Sequence, residues 1–156
     1  MEHKLKLLFL CTGNSCRSQM AEGWTRALKG ELMEVWSAGV ETHGLNPIAV
    51  EVMAEVGVDI SGHRSKHLHE LRDISFDAVI TVCDHAREAC PFFPGAKKML
   101  HAGFADPPAM ARDLAAQGAG EEAQRDCYRR VRDEIRAYVE TLPEALGLHP
   151  REHHTS

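Results

Sequence analysis

The chain has 156 residues, 44% hydrophobic and 26% charged, which fits one ordinary globular domain with a core of its own. Its 18 Lys and Arg against 23 Asp and Glu leave a net charge of −5, the wrong sign for a nucleic-acid binder. Five cysteines without a secretion signal exclude a disulfide framework in favour of thiol chemistry, and no apolar run is long enough to span a membrane, so a cytoplasmic protein is expected.

In chain order, Leu5–Leu10 reads as a first strand and Arg17–Leu28 as a helix carrying Met20, Trp24, Ala27 and Leu28 on one face. Glu34–Ser37 is a short second strand closed by Ala38-Gly39. Pro47–Val56 is a helix: Asn46 can cap it, Pro47 suits its first turn and Gly57 ends it. Ala78–Val82 is apolar enough to be a strand buried on both faces. Lys97–His101 is a fourth strand, and Arg125–Leu142 is the clearest helix, with Val131, Ile135, Tyr138, Val139 and Leu142 at helical spacing. Strands alternating with helices imply a single α/β domain over residues 1–146, a four-stranded parallel sheet flanked by helices. A polar tail follows over 147–156, where His153 and His154 read as solvated rather than metal-binding. No ligand spacing for a metal is present, and no exposed apolar stripe argues against a monomer.

The segment that carries chemistry is Cys11-Thr12-Gly13-Asn14-Ser15-Cys16-Arg17-Ser18, a loop between the first strand and the first helix. Gly13 and Asn14 tolerate the backbone angles that let several N–H groups converge, and the helix N-terminus adds its positive dipole end. Arg17 supplies a planar, permanently charged fork for two anion oxygens. The same positive field favours the thiolate of Cys11, to which Ser18 can donate a hydrogen bond. Such a pocket takes a tetrahedral oxyanion around a nucleophile. Cys11 and Cys83 each follow a predicted strand, at the edge where ligands bind in parallel sheets.

From Leu10 to Gly23 the sequence resembles the phosphate loop of the low-molecular-weight protein tyrosine phosphatase superfamily. With Gln19 where the phosphatases usually have proline, it is more specifically similar to the thioredoxin-coupled arsenate reductases of that superfamily. Further matches are Ser37-Ala38-Gly39, Glu41-Thr42-His43-Gly44 with Asn46-Pro47, Val82-Cys83, Cys90-Pro91, Gly103-Phe104-Ala105-Asp106-Pro107 and Arg130 to Ile135. The resemblance implies that arsenate is held by Arg17 and by the backbone of Thr12, Gly13, Asn14, Ser15, Cys16 and Ser18. It further implies that Cys11 attacks arsenic and Asp106 protonates the departing oxygen. Cys83 and Cys90 then carry the oxidation away as a disulfide for thioredoxin to reduce, with no cofactor and no metal.

Cys83 and Cys90 discriminate between functions. Hydrolysing a phosphate ester needs one cysteine and an acid, whereas reducing arsenate takes two electrons, which thiols supply by ending as a disulfide. A low-molecular-weight tyrosine phosphatase with structural Cys83 and Cys90 is one alternative, and a non-catalytic oxyanion or redox sensor is another. Pro108 stands where the phosphatases commonly place an aromatic residue against phosphotyrosine. Some members of the family hold a potassium ion near the loop through an acidic residue. Lys66 stands at that position here, and no potassium dependence is expected. Cys16 is expected to pack beneath the loop, Cys127 to be structural or an incidental surface thiol, and Trp24 and Trp36 to belong to the core.

Overall fold

Leu7, Leu8, Phe9 and Leu10 are fully buried, and only a strand flanked on both sides and covered on both faces buries four consecutive side chains. The computed structural model, which describes residues 4–90 and 92–147, places that strand in the middle of the sheet. Strand β1 (Leu5–Cys11) pairs in parallel with β2 (Met33–Gly39) on one side and with β3 (Ala78–Thr81) on the other. Strand β4 (Met99–His101) lies beyond β3, giving the order β2-β1-β3-β4, all parallel. This is the expected four-stranded α/β architecture. The tail at 148–156, with His153 and His154, lies outside the described residues, as does Pro91.

The helices are α1 (Arg17–Lys29), α2 (Pro47–Ala54), α3 (Asp84–Ala89), α4 (Pro107–Ala116) and α5 (Glu121–Glu140). The chain leaves β1 toward β2 through α1, and leaves β3 toward β4, in the opposite direction, through α3. Right-handed crossovers therefore set α1 and α3 on opposite faces of the sheet. Helix α5 packs on α1, α2 and α4, burying Tyr128, Val131, Ile135 and Val139. Asn46 caps α2 as expected, its side-chain oxygen accepting from the N–H groups of Ile48 (2.8 Å) and Ala49 (3.2 Å).

Two helices lie where the sequence reading placed none. Helix α3 has six residues and buries one, Ala86, so it carries no hydrophobic period. Helix α4 starts on the Pro107-Pro108 pair, in a stretch to which the sequence reading assigned no element. The last helix begins four residues earlier than predicted, at Glu121, because acidic residues in a first turn suit the helix dipole. Cys127 is accordingly well inside α5 and buried, not at its start or on the surface. No helix among the described residues is long and apolar enough to cross a membrane.

Candidate active site

The Cys11 loop is held open by its neighbours. The strand-to-helix connection after β2 runs beside it and removes its carbonyls one by one: Val40, Glu41, His43 and Asn46 donate their N–H groups to the carbonyls of Cys11, Thr12, Gly13 and Ser15 (2.9–3.1 Å). The Asn14 carbonyl accepts from the Gln19 amide and that of Cys16 from the N–H of Met20. With every carbonyl from 11 to 16 bonded outward, the peptide groups turn their N–H edges inward. Among the described residues, none of the N–H groups of 13–16 donates to a protein acceptor. The N-cap of α1, Cys16, makes no side-chain capping bond, so the helix start also faces the pocket. Asn14 adopts φ 49°, the left-handed region it was expected to tolerate.

Two glycines make the fit possible. A Cβ at Gly39 would lie 2.7 Å from both the N of Asn14 and the O of Thr12, so only glycine lets β2 approach the loop this closely. A Cβ at Gly13 would meet the imidazole of His43, which packs across the loop.

Beneath the loop runs a buried polar chain. The Asn14 amide donates one hydrogen to the Ser18 hydroxyl (2.9 Å) and the other to the Ser37 hydroxyl (3.0 Å). Ser37 Oγ donates to the buried carboxylate of Glu22 (2.5 Å), which also pairs with Arg26 (2.8 Å). Ser18 Oγ, which accepts from Asn14, lies 2.8 Å from Cys11 Sγ and has a proton to give a thiolate there. The expected Ser18 contact to Cys11 is thus present. Gln19 donates to Asn14 Oδ1 and the Arg64 carbonyl while accepting from His63 Nδ1 (2.9 Å). Burial holds the His63 ring below its ordinary pKa, which keeps it neutral with the proton on Nδ1. Asn14, Gln19, Glu22 and Ser37 form a support the sequence reading did not assign. Their polar character within a segment that must be buried was the available signal.

The pocket itself is a cavity of about 410 Å³ lined by Cys11, Thr12, Gly13, Ser15, Cys16 and Arg17 from the loop and by Asp106 from the start of α4. Arg17 is oriented by a hydrogen bond from Nη1 to the carbonyl of Phe104 (3.0 Å), and its Nη2 lies 3.9 Å from Asp106 Oδ1. Aspartate at an N-cap ordinarily bonds the first turn. Asp106 makes no such bond and turns its carboxylate toward Arg17 and the pocket. Cys16 is buried, and that burial, reinforced by the adjacent Cys11, pushes its thiol well above the ordinary range, so it stays protonated. The outer wall is formed by Pro108, at the position compared with the phosphatases' aromatic residue, and by His43, Asn46 and Arg112, which were not foreseen as part of the site.

Cys83 follows β3 by two residues, past the last register pair Leu10–Thr81, and its Sγ is 3.2 Å from Thr12 Oγ1. With that register carried on past Leu10–Thr81, strands about 4.8 Å apart and a step of about 3.3 Å per residue set the Cα atoms of Cys11 and Cys83 roughly 6 Å apart, within disulfide reach. Cys83 and Cys90 are the two end residues of α3, its N-cap and C-cap. Cys90 is buried, donates its S–H to the Phe92 carbonyl (3.4 Å), and has its thiol pushed up by burial. All five cysteines are free. The Lys66 ammonium sits on the Arg64 carbonyl (3.3 Å), and burial lowers its pKa while Glu22 opposes that shift. A cation of the chain's own thus stands beside the Glu22 network.

Comparison with known proteins gives a consistent result. Residues 6–150 match the low molecular weight phosphotyrosine protein phosphatase family. An arsenate reductase of Halalkalibacterium halodurans is 45% identical over 142 residues, covering 91% of this chain and 97% of that protein. A solved arsenate reductase in its phosphate-binding state superimposes with a TM-score of 0.72 at 30% identity, covering 88% of this chain and 95% of that one. A thioredoxin-dependent arsenate reductase of Corynebacterium glutamicum gives a TM-score of 0.66 at 25% identity, over 93% of this chain and 62% of that one.

Proposed function

The chain belongs to the low molecular weight phosphotyrosine protein phosphatase family, and on that premise we propose that it reduces arsenate to arsenite through a three-cysteine relay re-reduced by thioredoxin. The observation that carries the reading is the placement of Cys83: its Sγ lies 3.2 Å from Thr12 Oγ1 of the Cys11 loop, and a short helix joins it to a third thiol. A phosphatase has no use for that arrangement.

Arsenate enters the pocket and is held by the inward N–H groups of the loop and by the Arg17 fork. The Cys11 thiolate, aligned by Ser18, attacks arsenic, and a hydroxide leaves as water after taking the Asp106 proton, which forms an As–S bond. The Cys83 thiolate then attacks Cys11 Sγ. The As–S bond breaks, its electron pair stays on arsenic, and arsenite departs with a Cys11–Cys83 disulfide left behind. Cys90 attacks Cys83 next, releasing the Cys11 thiolate. Seven residue steps at about 1.5 Å each separate Cys83 and Cys90 by roughly 10 Å, while a disulfide needs Cα atoms within about 7 Å, so α3 unwinds as this bond forms. The resulting Cys83–Cys90 disulfide lies in an opened, exposed segment where thioredoxin, a dithiol, can attack it.

The test is arsenate-dependent NADPH oxidation by the full chain with thioredoxin and thioredoxin reductase, run beside p-nitrophenyl phosphate hydrolysis. Sustained arsenate turnover that stops when thioredoxin is omitted supports the proposal. Brisk ester hydrolysis with no arsenate turnover would make the chain a phosphatase, since Cys11, Arg17 and Asp106 suffice for that reaction.

A further inference from the structure

Between Asp106-Pro107 and Arg130 the sequence offers no motif, yet α4 from this stretch forms one wall of the active-site cavity. Pro108 and Arg112 both line it, and their spacing of four residues puts them on one face of α4. Arg112 is exposed, and on the same wall the Asn46 amide donates a hydrogen bond to the Tyr128 phenol (3.2 Å), whose pKa burial raises and whose shift Arg112 opposes. Arg125, Arg129, Arg132 and Arg136 of α5 are all paired with carboxylates. Among the described residues no carboxylate lies within ion-pair distance of Arg112.

The charges of the pocket show why this matters. Arg17 is one positive charge. The Cys11 thiolate that attacks is itself negative, so the floor of the cavity holds a charge of the same sign as the anion it must admit. His43 at the rim lies against Glu41 and is not a permanent cation. Arg112 is then the remaining permanent cation on the lining. The cavity, at about 410 Å³, is several times the size of one tetrahedral oxyanion, which leaves room for an anion to meet Arg112 before it reaches the loop.

We propose that Arg112 is a substrate-recruiting residue, which captures inorganic tetrahedral oxyanions at the cavity mouth and raises their affinity for the Cys11 loop. The inference rests on reading the cavity as an oxyanion site and adds a residue to it. An exposed guanidinium acting through space gives an effect that salt screens and that lysine retains, whereas a packing role gives neither.

The experiment reads anion binding without requiring turnover. Alkylation of Cys11 by iodoacetamide is followed by peptide mass spectrometry while inorganic phosphate is titrated as a protecting ligand. In Arg112→Gln the half-protecting phosphate concentration should rise about fivefold at low ionic strength, the size expected for one steering charge. The difference should shrink below about twofold in ~0.5 M sodium chloride. Arg112→Lys should stay within about twofold of wild type. Equal protection in wild type and Arg112→Gln, or a loss that Lys does not rescue and salt does not change, overturns the proposal. Wild-type protein that phosphate protects but that fails to turn over arsenate would count against the reductase reading alone.

Discussion

The two cysteine-bearing regions of this molecule are built on opposite plans. The Cys11 loop is fastened at every carbonyl, supported by a buried polar chain from Asn14 to Glu22, and closed against β2 at a position where only glycine fits. Between Cys83 and Cys90 run six residues of helix that bury only Ala86, with no side-chain cap. A transition state is stabilised by groups that do not reorganise, whereas two successive disulfides demand a segment that does. Rigidity and looseness are thus assigned to different sulfurs of one site.

Removing the nucleophile tests the rigid half most severely. Cys11→Ser should lower both arsenate turnover and p-nitrophenyl phosphate hydrolysis by about three orders of magnitude or more, with the fold intact by circular dichroism. Substitutions in the loose half should separate those two activities. Cys83→Ser should abolish arsenate turnover while keeping ester hydrolysis within about threefold of wild type, and Cys90→Ser should release about one arsenite per enzyme in a single-turnover assay. Multiple turnover by Cys90→Ser with thioredoxin would falsify the relay.

Gly39→Ala probes how tightly the loop is held. Its Cβ would press on backbone that cannot swing aside, and urea denaturation should show a loss of about 2–4 kcal/mol together with weakened phosphate binding. A smaller effect is expected from acid. The folded chain holds His63 below its ordinary pKa, so the unfolded chain binds the extra proton first as pH falls through about 6.5. Stability should therefore drop between pH 7.5 and 5.5, and drop less in His63→Gln. Smallest of all should be the response to potassium: with the Lys66 ammonium beside the Glu22 network, turnover in potassium chloride should match that in equimolar sodium chloride.

Which parts of this were legible in the sequence follows from what each segment buries. Leu5 to Cys11 and Ala78 to Thr81 announce themselves because continuous apolar residues leave few alternatives to a central strand. The loop was legible because Gly13, Asn14 and Arg17 have narrow backbone and chemical uses. Helix α3 was not, since Asp84 to Ala89 contains good helix formers but is too short, with only Ala86 buried, to show a hydrophobic period. Helix α4 hid behind Pro107-Pro108, although proline in a first turn after an aspartate is also how helices begin. Arg112 went unassigned with it. The Glu22–Ser37–Asn14 chain joins residues 15 and 23 positions apart, and only the pairing of β1 with β2 brings them together.

The brevity of α3 has an electrochemical consequence. A helix of six residues is too short to persist by itself, so the cost of opening it is small and responds to single side chains. In the proposed relay that opening is part of making the Cys83–Cys90 bond, and helix propensity therefore enters the reduction potential of the pair. Ala89 is exposed, and exchanging it for glycine removes about 1 kcal/mol of helix preference. At about 30 mV for each 1.4 kcal/mol, Ala89→Gly should shift the couple by roughly 20 mV toward the disulfide. The sequence between the two cysteines thus sets the potential at which the chain hands its electrons on.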